Sequence, residues 1–89
     1  WYSSSGKGKI YLRWYTISDA SGYQIRYCKK KSMKSGVKVM TVKGQRKYKK
    51  TISKLSRRKR YYVQVRAYKK SGKKTVYGKW SQKYMLKTK

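Results

Sequence analysis

The sequence contains no histidine, no proline and no phenylalanine, and it has one cysteine, Cys28, and one acidic residue, Asp19. A single cysteine cannot form an internal disulfide, and without histidine the chain has no Cys- or His-ligated metal site. A single carboxylate side chain excludes a carboxylate pair for acid–base catalysis, and no serine can be set beside a histidine base. These absences predict a protein that is not an enzyme and that carries no cofactor or metal.

Long apolar runs are also lacking. No stretch approaches the ~18–20 apolar residues that cross a bilayer as a helix, and the first residues do not have the pattern of a signal peptide. The sequence begins with Trp1 rather than Met, which predicts a segment of a longer chain with neighbouring domains. We expect its 89 residues to form one domain over residues 1–89, with a small core.

Positive charge dominates the composition. There are 28 Lys and Arg residues against one acidic residue, which gives a net charge of +27. Repulsion at this density opposes the compact state, and acidic side chains cannot relieve it, so we expect salt or a polyanion to stabilise the fold. The charge therefore predicts anionic polymers as partners.

The clearest structural signal is a strand over residues 61–68. Alternate residues Tyr61, Val63, Val65 and Ala67 form an apolar side, and the residues between them form a mixed side. The same alternation, weaker in places, predicts six other strands: 1–4, 9–15, 23–28, 37–42, 51–55 and about 76–86. Turn residues separate them at intervals of roughly 8–12 residues, which predicts an all-β, seven-stranded antiparallel β-sandwich.

The alternation also predicts where particular side chains lie. Cys28 falls on the outward side of its strand and is interpreted as an incidental thiol. Ile17 and Ala20 are expected to tuck beneath the loop at 16–22.

Several residues occur in order and at consistent spacings over nearly the whole chain: Trp14, Ala20-Ser21-Gly22-Tyr23, Leu55 followed by Tyr61, Val63-x-Val65-x-Ala67, and Tyr77-Gly78-x-Trp80-Ser81. Together they resemble a fibronectin type III domain. The resemblance implies an immunoglobulin-like sandwich with Trp14 in the core and a truncated first strand. It also implies that the Tyr61 hydroxyl bonds to upstream backbone, as in a tyrosine corner.

The runs Arg66-Ala67-Tyr68-Lys69 and Tyr77-Gly78-Lys79-Trp80-Ser81 are most similar to the Lys- and Tyr-rich repeats of Gram-positive bacterial cell-surface proteins. That resemblance implies an extracellular spacer or adhesive module at the cell surface or in the cell wall. Such repeats normally retain acidic residues, which are nearly absent here. An engineered, supercharged binding scaffold is therefore an alternative hypothesis.

Two groups of lysines are candidates for binding a wall polymer or a glycan. One is a predicted hairpin tip and the other a predicted loop at 28–36; the residues are Lys69, Lys70, Lys73 and Lys74, and Lys29, Lys30 and Lys31. The resemblance implies that in animal relatives the hairpin tip can carry an integrin-binding Arg-Gly-Asp sequence. The aspartate of that sequence is missing here. The alternative for these lysines is a solvated tip that keeps the chain soluble.

Aromatic and Arg side chains form a third candidate. Arg66 and Trp80 are predicted to lie on neighbouring strands, where the guanidinium can stack over the indole as a structural cation–π contact. The alternative is an exposed platform for bases or sugar rings, comprising Arg26, Tyr62, Arg66, Tyr68 and Trp80. Nucleic acids would stack on such a platform, but charge spread over the whole chain predicts only non-specific, salt-sensitive binding in vitro.

Overall fold

The computed structural model describes residues 2–89, within which there are eight β-strands and no helix. The strands are β1 (Tyr2–Gly6), β2 (Lys9–Arg13), β3 (Gly22–Cys28), β4 (Lys38–Lys43), β5 (Lys49–Ile52), β6 (Arg60–Ser71), β7 (Lys74–Tyr77) and β8 (Tyr84–Lys87). Trp1, predicted as part of the first strand, lies outside the described residues. No helix in the described part of the chain is long and apolar enough to span a membrane.

Two antiparallel sheets form the sandwich. The first contains three strands in the order β1-β2-β5, and the second contains β4-β3-β6-β7, with β8 also paired to β6. The predicted all-β sandwich is thereby confirmed. Strand β6 is the longest, and its apolar side carries Tyr61, Val63 and Val65 into the core, as the alternation predicts.

The core lies between the sheets because alternate residues of both sheets point toward each other. From the first sheet come Ile10, Leu12 and Ile52, all of which are fully buried. Trp14, just beyond β2, packs 5.5 Å from the ring of Tyr23 and donates its indole N–H to the carbonyl of Lys47 at 3.0 Å. The predicted core position of Trp14 is confirmed.

The tyrosine corner is also present. The Tyr61 hydroxyl accepts a hydrogen bond from the backbone N–H of Ser56 at 2.9 Å. This bond fixes the connection between β5 and β6, which crosses from one sheet to the other. Tyr61 is buried and Ser56 is exposed, so the bond is partly shielded from water.

The prediction of one last strand from Val76 to about Leu86 is wrong. The structure has two strands, β7 and β8, which pair with opposite ends of β6 along the same edge. Between them, Ser81 bonds Val65 with both its backbone N–H, at 2.8 Å, and its side-chain oxygen, which accepts from the Val65 N–H at 3.0 Å. The side chain replaces a strand partner, so the chain stays on the edge of β6 without regular strand geometry.

Three side chains differ from their predicted exposure. Cys28 is only 3% exposed, because the following loop folds back so that the thiol donates to the carbonyl of Lys30 at 3.0 Å. Tyr68 is 5% exposed, because its ring lies over Gly22 on the neighbouring strand, where no side chain intervenes. Ile17 is 53% exposed, whereas Ala20 is buried as predicted.

The sandwich has two ends that matter for the site. Strand β3 begins at Gly22, opposite Tyr68, and ends at Cys28, opposite Tyr62. Its seven residues span about 20 Å at ~3.3 Å per residue. We call the end near Tyr68 the hairpin end and the end near Tyr62 the loop end.

Candidate anion-binding surfaces

The predicted lysine hairpin forms the tip between β6 and β7. Ser71 pairs with Lys74, which leaves Gly72 and Lys73 as a two-residue turn. Gly72 has a positive φ of 63°, the conformation that a type II′ turn requires at its first position. The four predicted lysines, Lys69, Lys70, Lys73 and Lys74, are all exposed.

The hairpin is anchored to the sandwich by Ser21, whose side-chain oxygen accepts the backbone N–H of Lys70 at 2.9 Å. Asp19 lies close by, lining a shallow groove with Lys69. The one acidic side chain of the sequence is therefore at the hairpin end, where it reduces the net positive charge.

The second lysine group lies in the loop between β3 and β4, at the loop end. Lys30 organises this loop: its ammonium donates to the Ser35 hydroxyl at 3.0 Å, and its carbonyl accepts from the Met33 N–H at 3.0 Å. Met33 is buried beneath the loop. Lys83, from the segment before β8, donates to the carbonyl of Lys31 at 2.8 Å. These hydrogen bonds fix the backbone of the loop and the position of the Lys30 ammonium.

A cavity of about 360 Å³ opens at the loop end, and we call it the loop pocket. It lies between the β3–β4 loop of one sheet and the β5–β6 connection of the other. Its lining residues are Tyr27, Cys28, Lys29, Lys30, Ser35, Gly36, Lys38, Lys54, Leu55, Ser56 and Tyr61. Four of them are lysines, so the pocket is strongly cationic.

The structure does not bring the two predicted lysine groups together. Lys29 follows Cys28, which pairs with Tyr62, whereas the hairpin turn follows Ser71 on the same strand β6. Nine residues of strand separate these positions, or about 30 Å. The long axis of the domain is 42 Å, so the groups lie at opposite ends.

The third predicted group forms a stack on the outer side of the second sheet. The Arg26 and Arg66 guanidinium carbons lie 4.4 Å and 4.2 Å from the centroid of the Trp80 ring, and Arg66 also lies 4.0 Å from the Tyr77 ring. We call Arg26, Trp80, Arg66 and Tyr77 the Arg–Trp ladder. The predicted stacking of Arg66 on Trp80 is confirmed, although Trp80 lies in the connection between β7 and β8 and not in a strand.

Two glutamines hold the ladder in register. The Gln64 side-chain oxygen accepts from Arg26 Nε at 2.8 Å, and the Gln24 side-chain oxygen accepts from Arg66 Nε and Nη2 at 2.9 and 2.7 Å. Gln64 also donates to the carbonyl of Ser81 at 2.7 Å, next to Trp80. Each arginine is thus fixed by an amide and a ring together.

This geometry makes the ladder a structural element. The indole of Trp80 is already in contact with two guanidinium groups, and Tyr68, predicted to be part of an open platform, is buried. Tyr62 is half-buried. Of the aromatic rings of the predicted platform, Tyr68 and Trp80 are therefore largely occupied by contacts within the protein.

Sequence reasoning missed Lys38, Lys54, Ser35 and Ser56 of the loop pocket. Lys54 and Ser56 precede β6, far in sequence from the predicted 29–31 group, and only the packing of the two sheets brings them beside it. Lys54 has a positive φ of 60°, which turns the chain at this point. No sequence pattern signals that proximity.

The chemical groups of the site suit binding by charge and hydrogen bonds. Among residues 2–89, no three His, Cys, Asp or Glu side chains are grouped as a metal site would require. The available groups are ammonium, guanidinium and hydroxyl donors, which recognise phosphate, sulfate and carboxylate.

Fold and surface together define an immunoglobulin-like β-sandwich domain with cationic ends. The chain belongs to the fibronectin type III domain family, whose model matches residues 3–83. Domains of this family are typically non-enzymatic binding or spacer modules. Among curated protein sequences, none matches this chain.

Solved structures with the same fold include two of contactin domains. The FN1–FN3 domains of chicken CNTN1 match with a TM-score of 0.78 and 24% identity, over 96% of this chain and 27% of that one. The fn3 domain of human contactin 1 matches with a TM-score of 0.79 and 20% identity, over 97% of this chain and 70% of that one. The chain thus spans about a quarter of the chicken structure, which contains several such domains.

Proposed function

We propose that this domain is a non-enzymatic binding or spacer module of an extracellular bacterial surface protein, where it associates electrostatically with a wall polymer or glycan. The observation that carries the proposal is the presence of an exposed lysine group at each end of the sandwich, in a chain of net charge +27. An extended polyanion would neutralise charges that the chain's one carboxylate side chain cannot. Residues 1–89 act as one domain, linked to neighbours of a longer chain.

The Lys- and Tyr-rich sequence runs support the bacterial surface setting by their resemblance to repeats of Gram-positive proteins. Nucleic acid is the competing partner, because a chain of this charge binds DNA without sequence preference. The Arg–Trp ladder argues against a dedicated nucleic-acid site, since Trp80 stacks on Arg26 and Arg66 and offers bases little open ring.

The test is a titration of the domain with teichoic acid, with heparin and with duplex DNA at about 50 mM and about 200 mM salt. We expect at least one of the two carbohydrate-bearing polymers to bind more tightly than DNA at the same salt concentration. Tighter binding of DNA, with sequence discrimination that survives the higher salt, would contradict the proposal. A domain that bound none of the polymers would be a spacer alone.

A matched pair of variants separates a lysine surface from total charge. In one, the hairpin lysines Lys69, Lys70, Lys73 and Lys74 are replaced by Gln. In the control, four exposed lysines elsewhere are replaced by Gln: Lys7, Lys9, Lys79 and Lys87. The variants have the same net charge, so a larger loss of polymer affinity in the first assigns binding to the hairpin, and equal losses show that the hairpin contributes only general attraction.

A further inference from the structure

The loop pocket differs from the lysine hairpin in the side chains that surround its lysines. Lys29, Lys30, Lys38 and Lys54 line it together with less exposed side chains, among them Leu55 and Tyr61. A cleft with one sign of charge and low-dielectric walls concentrates the electric field and attracts counter-ions more strongly than an open surface does. The pocket is therefore a better anion site than the hairpin, although both have four lysines.

No carboxylate side chain of the protein neutralises the positive charge of the pocket. Asp19 is the only acidic residue, and it lies at the hairpin end, beyond the opposite end of β3. That separation of about 20 Å is about two and a half times the Debye length at physiological salt, so Asp19 is screened from the pocket.

The donors of the pocket are held in place before any ligand arrives. The Lys29 ammonium donates to the Ser56 hydroxyl at 3.2 Å and lies 5.9 Å from the centroid of the Tyr61 ring. Two hydrogen bonds fix Ser56 in turn. Its backbone N–H donates to the Tyr61 hydroxyl, and its carbonyl accepts from Thr88 Oγ1 at 2.5 Å. On the other wall, Lys30 is bonded to Ser35. Fixed donors lose little entropy on binding.

Size and lining together indicate the ligand. About 360 Å³ is at the small end of the range for ligand pockets and suits one sugar unit rather than a long segment of polymer. Ser35 and Ser56 offer hydroxyls to sugar hydroxyls, while the lysines offer ammonium groups to an acidic substituent. The Tyr61 ring is 4% exposed, so no open aromatic face there can stack on a nucleobase.

We propose that the loop pocket binds one acidic sugar unit, with its sulfate, phosphate or carboxylate group at the lysines and its hydroxyls at Ser35 and Ser56. This inference rests on the proposed function, because it names the chemical class of the polymer and the position at which one unit binds. The hairpin, at the other end of the domain, then contributes only general attraction.

The test follows backbone amide NMR shifts during titration with single sugars. The probes are N-acetylglucosamine 6-sulfate, N-acetylglucosamine 6-phosphate, glucuronic acid, neutral N-acetylglucosamine and adenosine monophosphate. We expect saturable shifts at residues 29–38 and 54–56 with at least one acidic sugar, and the acidic sugar that binds most tightly identifies the substituent. Equal shifts with the neutral sugar, tighter binding of the nucleotide, or shifts that are no larger here than at the hairpin would overturn the proposal.

Two double variants with equal charge provide the control. Lys29→Gln with Lys54→Gln is expected to weaken the acidic sugar about tenfold, because two charged donors are lost. Lys69→Gln with Lys70→Gln, at the other end of the domain, is expected to change its affinity by less than about twofold, since screening is effective over that distance. Equal effects of the two pairs would overturn the proposal. Ser56→Ala, which leaves the charge unchanged, is expected to weaken the sugar as well.

The two proposals fail in different ways. If a polymer binds the wild-type domain and both double variants equally, the pocket is not its site, but the polymer-binding function stands. If the acidic sugar binds the pocket while no polymer binds, the pocket is a site and the polymer-binding function is wrong. Thermal melts of each variant confirm that it folds, which we expect because Lys29 and Lys54 are exposed.

Discussion

The Arg–Trp ladder gives the most quantitative prediction for stability. Trp80 makes two cation–π contacts, with Arg26 at 4.4 Å and Arg66 at 4.2 Å. Because Trp80 is half-buried, each contact should contribute about 1 kcal/mol, between the values for exposed and desolvated pairs. Trp80→Leu should therefore destabilise the domain by about 2 kcal/mol. That loss corresponds to a fall in Tm of roughly 8–16 °C for a domain of this size.

The assay is urea unfolding of wild type, Trp80→Leu, Arg66→Leu and the double variant. In the resulting double-mutant cycle, the Arg66–Trp80 pair should have a coupling energy of about 1 kcal/mol. Tyr15→Leu is the matched control, because Tyr15 is 82% exposed and its loss should change stability by less than about 0.5 kcal/mol. A coupling energy below about 0.3 kcal/mol would refute the view that stacking stabilises the sheet, since additive effects indicate independent side chains.

Three further predictions concern the backbone at Gly22, the tyrosine corner and the net charge. Gly22→Ala should destabilise the domain by about 1–3 kcal/mol in urea unfolding, because the new Cβ would lie 2.4 Å from the Val42 carbonyl oxygen. Gly78→Ala is the control, because its nearest contact is 3.5 Å, and a result equal to that of Gly22→Ala would contradict the reasoning. Tyr61→Phe should cost about 0.5–1.5 kcal/mol by removing the acceptor of the Ser56 N–H, and a neutral result would mean that water replaces the hydroxyl. The wild-type Tm should rise between very low and moderate sodium chloride concentration, because salt screens the repulsion of a +27 chain; a flat or falling Tm would show that repulsion does not limit stability.

Much of the sandwich could be predicted from the sequence. The alternation in β6 places Tyr61, Val63 and Val65 in the core because a strand directs successive side chains to opposite faces. The core position of Trp14 and the hydrogen bond of the Tyr61 hydroxyl were predicted from the resemblance to the fibronectin type III family, in which these positions have fixed roles. The contact between Arg66 and Trp80 was also predicted, although Trp80 reaches Arg66 from the connection between β7 and β8 and not from a paired strand.

The errors arose where contacts between distant segments override alternation. Cys28 is buried by its own following loop, and Tyr68 is buried because its neighbour Gly22 has no side chain. The break in the last strand depends on Ser81, whose side chain bonds β6 in place of a backbone group. Periodicity describes a strand and its two faces, and it contains no information on what covers a face.

The candidate site was predicted only in part for the same reason. Lys29 and Lys30 were found as a run of charge in sequence, whereas Lys54 comes from the other sheet and joins them through folding. Whether lysines form a pocket or a solvated surface depends on what lies beneath them. That information is in the packing of the two sheets.

The free edges of the sheets have a consequence for self-association. Strand β4 is at one edge of the second sheet and β5 at one edge of the first, and both present unpaired backbone groups that another copy could extend. Lys38 and Lys43 end β4, and Lys49 and Lys50 begin β5, so two copies that approach edge to edge repel each other. A polyanion that coated these lysines would remove the repulsion between two copies and would thereby favour their edge-to-edge pairing.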